Sequence, residues 1–419
     1  MVSGFPFFED GDVSIRIHQD VYQLHSSVLK AQSRHIRDLL ESLGPHGIGH
    51  FGYLQLELVE TKSHGYGVLE IRDTDDSYDQ GLIYYGQKRP IVSWSADTRR
   101  HWSNIFKIFY KLSPQLHDGD IKNVLGHCWD LVSLADSIRS TRVVFPAIES
   151  ALHELGQKFY ALVIEDATNW IKLGTYMRSA FIFKEAAIHV IGNWNALGNV
   201  LDYLPTAVHE LCETKQANLL RLKFDMENRI LSYFPGERVH CGSVGPGHRH
   251  YAKNVILWQA ITSYMHWIKV QMAKNRCRFS PDGGAWFYRA INAGNITYSD
   301  TEEKAASSAI QRDPDKIYML NSYLVMVQES VKGFVADLLV NESRYDPAVM
   351  GQLPYLTCCK VEDDELPWMV WPDGDWYIDS EEEDLRSNCD SDDDDSIQYS
   401  GDDDDDAFNG VSLLSTRFL

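Results

Sequence analysis

No stretch of this 419-residue chain approaches the roughly 18–20 consecutive apolar residues that a membrane-spanning helix requires. Cysteine is sparse and unpatterned. Cys128, Cys212, Cys241, Cys277, Cys358, Cys359 and Cys389 are odd in number and irregular in spacing, which builds no disulfide framework. The opening residues Met1 to Phe8 lack a basic stretch ahead of an apolar one, the arrangement of a secretory signal. Together these absences predict a cytoplasmic or nuclear protein with no membrane partner. Cations are also short, with 39 Lys and Arg against 60 Asp and Glu. Direct nucleic-acid binding needs clustered cations to displace counterions, so none is expected.

The motifs of common chemistry are missing as well. There is no G-x-S-x-G nucleophile elbow and no H-E-x-x-H zinc pair. Gly242-Ser243-Val244-Gly245-Pro246-Gly247 has a phosphate loop's glycines but no Lys-Ser/Thr ending, and Pro246 removes an N–H that a phosphate would need. His240, Cys241, His248 and His250, with Cys277 far away, do not form the two tight pairs of a structural zinc site and read as a solvated loop. Lys274-Asn275-Arg276-Cys277-Arg278 is a short basic patch that reads as solvated surface. No catalytic residue, cofactor or metal site is expected, and the chain does not read as an enzyme.

What is present is charge, and it is concentrated. Residues 362–406 hold 21 acidic side chains and one basic one, Arg386, and so carry -20 of the chain's -21. The remainder is close to neutral. Asp392 to Asp395 and Asp402 to Asp406 repel themselves and cannot build a core, which predicts a disordered acidic tail over 380–419. Ser380 and Ser391, each followed directly by a run of acidic residues, suit an acid-directed kinase and are candidate phosphosites. Just before them, Trp368, Trp371 and Trp376 are expected to dock with Pro367 to Ile378 on the body, because three solvated tryptophans would be a sticky liability.

Ahead of the tail the pattern is α+β. Val13, Ile15 and Ile17 alternate with polar residues, Gln19-Asp20 turns, and Val21 to His25 returns as a second strand. Ser26 stands where an N-cap belongs, before Val28, Leu29, Ala31, Ile36, Leu39 and Leu40 at helical spacing. Residues 45–98 read as an irregular insertion holding strands near Tyr53–Val59 and Gly67–Ile71. From Thr98 the period is helical. Stripes run through Trp102 to Tyr110, Ile121 to Ile138, Val143 to Val163, Ile182 to Trp194, Pro205 to Ile230, Val255 to Ile268 and Pro314 to Leu339. The expected organisation is an N-terminal domain over 1–115, a helical extension over 116–235, a further helical region over 250–345, and the tail.

Asp12 ahead of the first strand, His25 at the end of the second, Leu29 in the helix and Ser33 before the next one resemble the opening of BTB/POZ domains. Phe109-Tyr110 resembles the aromatic-Tyr pair near that domain's close, and the layout is similar to BTB-domain proteins of filamentous fungi with a helical extension. Ile36 stands where that family usually has an aromatic, and its Kelch and zinc-finger companions are absent. The resemblance implies a protein-binding adaptor or scaffold, a homodimer through this domain, and a cullin-type ubiquitin ligase as partner. It implies structural roles for Asp12, His25, Leu29, Ser33, Phe109 and Tyr110. The alternative is a self-assembling nuclear or chromatin-associated factor whose acidic tail binds basic partners.

Overall fold

Val13, Ile15 and Ile17 point to one face of their strand and are at most 1% exposed, and around them the fold begins. The computed structural model describes residues 5–42, 54–61, 64–71, 83–84, 87–88, 94–117, 119–233, 254–294, 296 and 314–370. By contact, Met1–Tyr377 is one unit and Ile378–Leu419 another. The tail segment 380–419, with Ser380 and Ser391, lies outside the described residues, as do Trp371 and Trp376.

β1 (Val13–Ile17) and β2 (Asp20–Leu24) form an antiparallel hairpin in the register Val13 to Leu24. The turn needs a left-handed residue, and His18 takes φ +57°. Helices α1 (Ser26–Gln32) and α2 (Arg34–Ser42) then cross over, so that β3 (Leu54–Thr61) adds to β1 in parallel. A parallel neighbour requires such a crossover. β4 (His64–Ile71) pairs back on β3, giving the order β2-β1-β3-β4. The expected insertion thus contains half of the sheet, with a separate short hairpin, β5 (Ile83–Tyr84) and β6 (Gln87–Lys88).

Gly67 is the tightest point of that sheet. Its φ is +73°, and a Cβ there would lie 2.5 Å from the Trp94 ring, whose Nε1 donates to Leu58 O at 3.3 Å. Gly67→Ala is expected to cost about 2–3 kcal/mol through left-handed strain and overpacking. Urea denaturation would check it, and a loss under 0.5 kcal/mol would contradict the packing (order of magnitude from the same overpacking range).

The rest is helical: α3 (Ala96–Phe109), α4 (Val124–Ser137), α5 (Thr141–Glu154), α6 (Gln157–Glu165), α7 (Ala167–Tyr176), α8 (Ala180–Gly192), α9 (Thr206–Leu231), α10 (Val255–Ala273), α11 (Ala285–Ala293) and α12 (Pro314–Lys332). Val143 to Val163 is two helices and not one, because Gly156 takes φ +55° between α5 and α6. Buried side chains from 1–115, 116–235 and 250–345 belong to one continuous core. Among the described residues no helix is long and apolar enough to cross a membrane.

After α12 a strap of largely irregular backbone, 340–370, runs back over the helices. Arg289 on α11 donates to Leu353 O at 2.6 Å and Tyr355 O at 2.9 Å. Lys184 on α8 pairs with Asp363 at 2.8 Å, and Lys215 on α9 with Glu365 at 2.6 Å. Trp368 docks on Phe183 edge to face, 5.4 Å between ring centroids.

Candidate protein-interaction surface

The six positions singled out at the N-terminus hold turns together. Asp12 accepts from Ser26 twice, from its N–H at 2.6 Å and its hydroxyl at 2.5 Å. Ser26 is therefore the first residue of α1 and not its cap, and the orphan N–H at the helix start is satisfied from across the hairpin. Burial raises the Asp12 pKa, but the Ser26 bonds outweigh it and hold the carboxyl below its usual range. His25 donates its backbone N–H to the Tyr110 hydroxyl at 2.8 Å, and its Nδ1 meets the same oxygen at 2.9 Å. Phe8 stacks on Tyr110 at 4.5 Å. Ser33 donates to Ile138 O at 2.6 Å and accepts from Ile36 N at 3.1 Å. Leu29 and Phe109 are buried.

A second polar cluster is buried under the strap. Glu185 and His189 lie one turn apart on α8, with the His189 Nε2 3.2 Å from Glu185 Oε1. Ser343 donates to Glu185 Oε1 and lies 3.3 Å from that same His189 nitrogen. Tyr355 takes the other nitrogen at 3.0 Å. Serine, histidine and carboxylate invite comparison with a hydrolytic triad. There the carboxylate and the serine occupy opposite ring nitrogens; here they share one, and all four side chains are at most 8% exposed. This is a staple between α8 and the strap.

The surface with binding chemistry lies around the loop from Lys274 to Gly284. Ser280 and Asp282 organise it. Ser280 Oγ accepts from Gly284 N at 2.8 Å, and Asp282 accepts from Trp286 N at 2.9 Å at the start of α11. Asn275, Gly283 and Gly284 supply the positive φ that the tight path requires. The consequence is a row of outward aromatics: Phe279 is 61% exposed, Phe224 of α9 47% and Trp286 46%. Arg278 sits between two of them, its guanidinium carbon 4.9 Å from the Phe224 centroid and 4.8 Å from that of Phe279. Arg276 lies over Trp286 at 4.9 Å.

Arg278 is held from below. Glu227 on α9, 2% exposed, pairs with its guanidinium and accepts from its N–H at 3.3 Å and from the Tyr288 hydroxyl at 2.8 Å. Burial and the Glu227 carboxylate push the Tyr288 pKa far up, so it stays a donor. Beneath, Lys223 is also buried, and desolvation lowers its pKa. The patch 274–278 is thus more than solvated charge, because its arginines order aromatic rings at the surface. Cys277 is packed in the core, while His240, Cys241, His248, His250 and the glycine run 242–247 lie outside the described residues. Among the described residues, His101, His127 and Asp130 in the N-terminal half lie close enough together to hold a metal, and no sequence motif marks them.

Residues 235–337, about a quarter of the chain, match the family model described as an FF domain. No BTB/POZ family matches, and an FF domain is a different fold, so the resemblance of residues 1–115 to BTB/POZ domains is corrected. The reason is physical. Asp12, His25, Leu29 and Ser33 mark local turns and helix starts, which any hairpin followed by two helices needs. The homodimer and cullin expectations rested on that resemblance, and no other finding supports them. No curated protein and no solved structure matches the chain. What the comparisons identify is therefore one segment similar to an FF domain, and that segment carries Arg276, Arg278, Phe279 and Trp286.

Proposed function

We propose that this chain is a non-enzymatic protein-interaction protein, an adaptor or scaffold, and that it grips a partner polypeptide through the Arg276–Trp286 surface with Phe224. The observation that carries the reading is the row of exposed aromatics interleaved with guanidiniums. Aromatic and arginine side chains dominate binding hot spots. The match of this segment to FF domains, which mediate protein interactions, supports it.

The test is affinity purification from cells with the full chain, against Phe279→Ala and Trp286→Ala. Each change removes an exposed ring and leaves the core intact. Each is expected to weaken capture of the shared partner by about 10–100-fold, the range of a hot-spot truncation. Unchanged capture by both variants removes this surface from the function.

A second reading rests on the concentration of -20 charges in residues 362–406, which would engage basic partners such as histones in the nucleus. Deleting residues 380–419 should abolish capture of basic partners and spare the capture that depends on Phe279. Retention of basic partners by the deletion removes it.

A further inference from the structure

His101 is a buried histidine without hydrogen bonds. It lies on α3, it is 2% exposed, and neither Nδ1 nor Nε2 has a hydrogen-bond partner. A neutral imidazole has one donor and one acceptor to satisfy, and burying both unpaired is costly. Facing it on α4 are His127 and Asp130, three residues apart and so on one side of that helix. Asp130 Oδ2 is 3.7 Å from His101 Nε2. One ligand atom from each of the three side chains falls within 4.8 Å of the others.

We propose that His101, His127 and Asp130 form a divalent-metal site of the zinc class between α3 and α4. Two imidazoles and a carboxylate suit zinc, leaving one tetrahedral position for water. Bonds of about 2.0 Å in that geometry place ligand atoms about 3.3 Å apart. The cluster thus needs to contract by about 1.5 Å at most from its 4.8 Å limit, a side-chain rotation and not a backbone movement. Tyr66 on β4 donates to Asp130 Oδ1 at 2.8 Å and leaves Oδ2 toward His101. Such an outer partner orients a ligand and raises its affinity.

Arg100 is the competing cation. Its Nη2 contacts Asp97 at 2.6 Å and lies 3.0 and 2.8 Å from the two ring nitrogens of His127. Metal entry requires this guanidinium to leave His127 and remain on Asp97. The site therefore carries an internal check: removing the Arg100 charge favours the metal.

The experiment uses the full chain with His240, His248 and His250 replaced by alanine, so that the histidine-rich segment contributes no ligands. Zinc alone is titrated calorimetrically into the chelator-treated protein, with cobalt(II) as a spectroscopic probe. The site predicts one equivalent of zinc, a cobalt spectrum without thiolate charge-transfer bands, and a thermal midpoint that rises with zinc. His127→Gln and Asp130→Asn should each lower affinity at least 100-fold (roughly the upper end reported for losing a supporting group). Arg100→Ala should bind more tightly. The two ligand variants change half-exposed side chains, and circular dichroism verifies their fold. No zinc bound by the folded parent overturns the proposal. So does equal binding by both ligand variants, or a thiolate cobalt spectrum.

Discussion

Replacing Glu227 with alanine should destabilise the protein by about 3–5 kcal/mol, the usual cost of removing one partner from a buried ion pair. Three donors converge on this carboxylate: the Arg278 guanidinium, the Arg278 N–H and the Tyr288 hydroxyl. Without it the Tyr288 hydroxyl is left buried without an acceptor, and each such orphan costs about 1–3 kcal/mol. Glu227→Gln keeps the volume and one acceptor, and is expected to lose about half as much. The effect should reach the surface. Arg278 stands between Phe224 and Phe279 because Glu227 holds it there. Partner capture by Glu227→Gln should therefore fall toward that of Phe279→Ala, although Glu227 itself is buried. Urea denaturation gives the first number and affinity purification the second. A variant with full stability and normal capture would contradict both roles.

That carboxylate shows where sequence reasoning stops. The helices were legible because each buries a stripe at a 3.6-residue period. Trp102, Ile105, Phe106 and Phe109 of α3 are all at most 2% exposed. The hairpin was legible from alternation at period two, and the α+β class follows. α7 was not legible. Thr168, Trp170, Ile171, Leu173, Gly174 and Thr175 are all buried, so the helix is covered on nearly every side and shows no stripe. The polar clusters were invisible for a different reason. Glu227 and Arg278 are 51 residues apart, and His189 and Ser343 are 154 apart. No local pattern encodes such a pair, because tertiary packing alone brings it together. The His127–Asp130 spacing on α4 was a usable signal, but it meant little without His101 from α3.

The surface at 274–286 was half legible. Its basic residues stood out, and Phe279 and Trp286 did not, since isolated exposed aromatics are ordinary. What distinguishes them is the loop that Asp282 and Ser280 organise, which sets both rings against guanidiniums. The two ends of the molecule thus have different logic. The N-terminal hairpin spends its polar groups on its own turns, whereas residues 274–286 turn two arginines and two rings outward beside Phe224 of α9.

The strap carries a pH-dependent anchor. Glu185→Ala should cost about 3–5 kcal/mol, again as half of a buried polar pair. The carboxylate accepts from the Ser343 hydroxyl and from Arg344 N at 3.1 Å, and it meets His189 Nε2 at 3.2 Å. Burial alone would raise its pKa, but the bonds from His189, Ser343 and the Arg344 N–H outweigh that and hold it below the ordinary 4.5. The unfolded chain therefore takes up a proton at a higher pH than the folded one. Stabilisation from this group is complete above pH 4.5 and is lost as pH falls through the lower folded value. Glu185→Gln has nothing to protonate, so its stability should fall less steeply with acid than that of the parent, from a lower start. Because Glu185 ties α8 to residues 343–345, the first event on acidification should be release of the strap. Limited proteolysis between residues 340 and 370 should then appear before loss of helical circular dichroism, with Trp368 leaving Phe183 as it proceeds. Equal acid slopes for the parent and Glu185→Gln, or global unfolding with no earlier cleavage of the strap, would show that the anchor lies elsewhere.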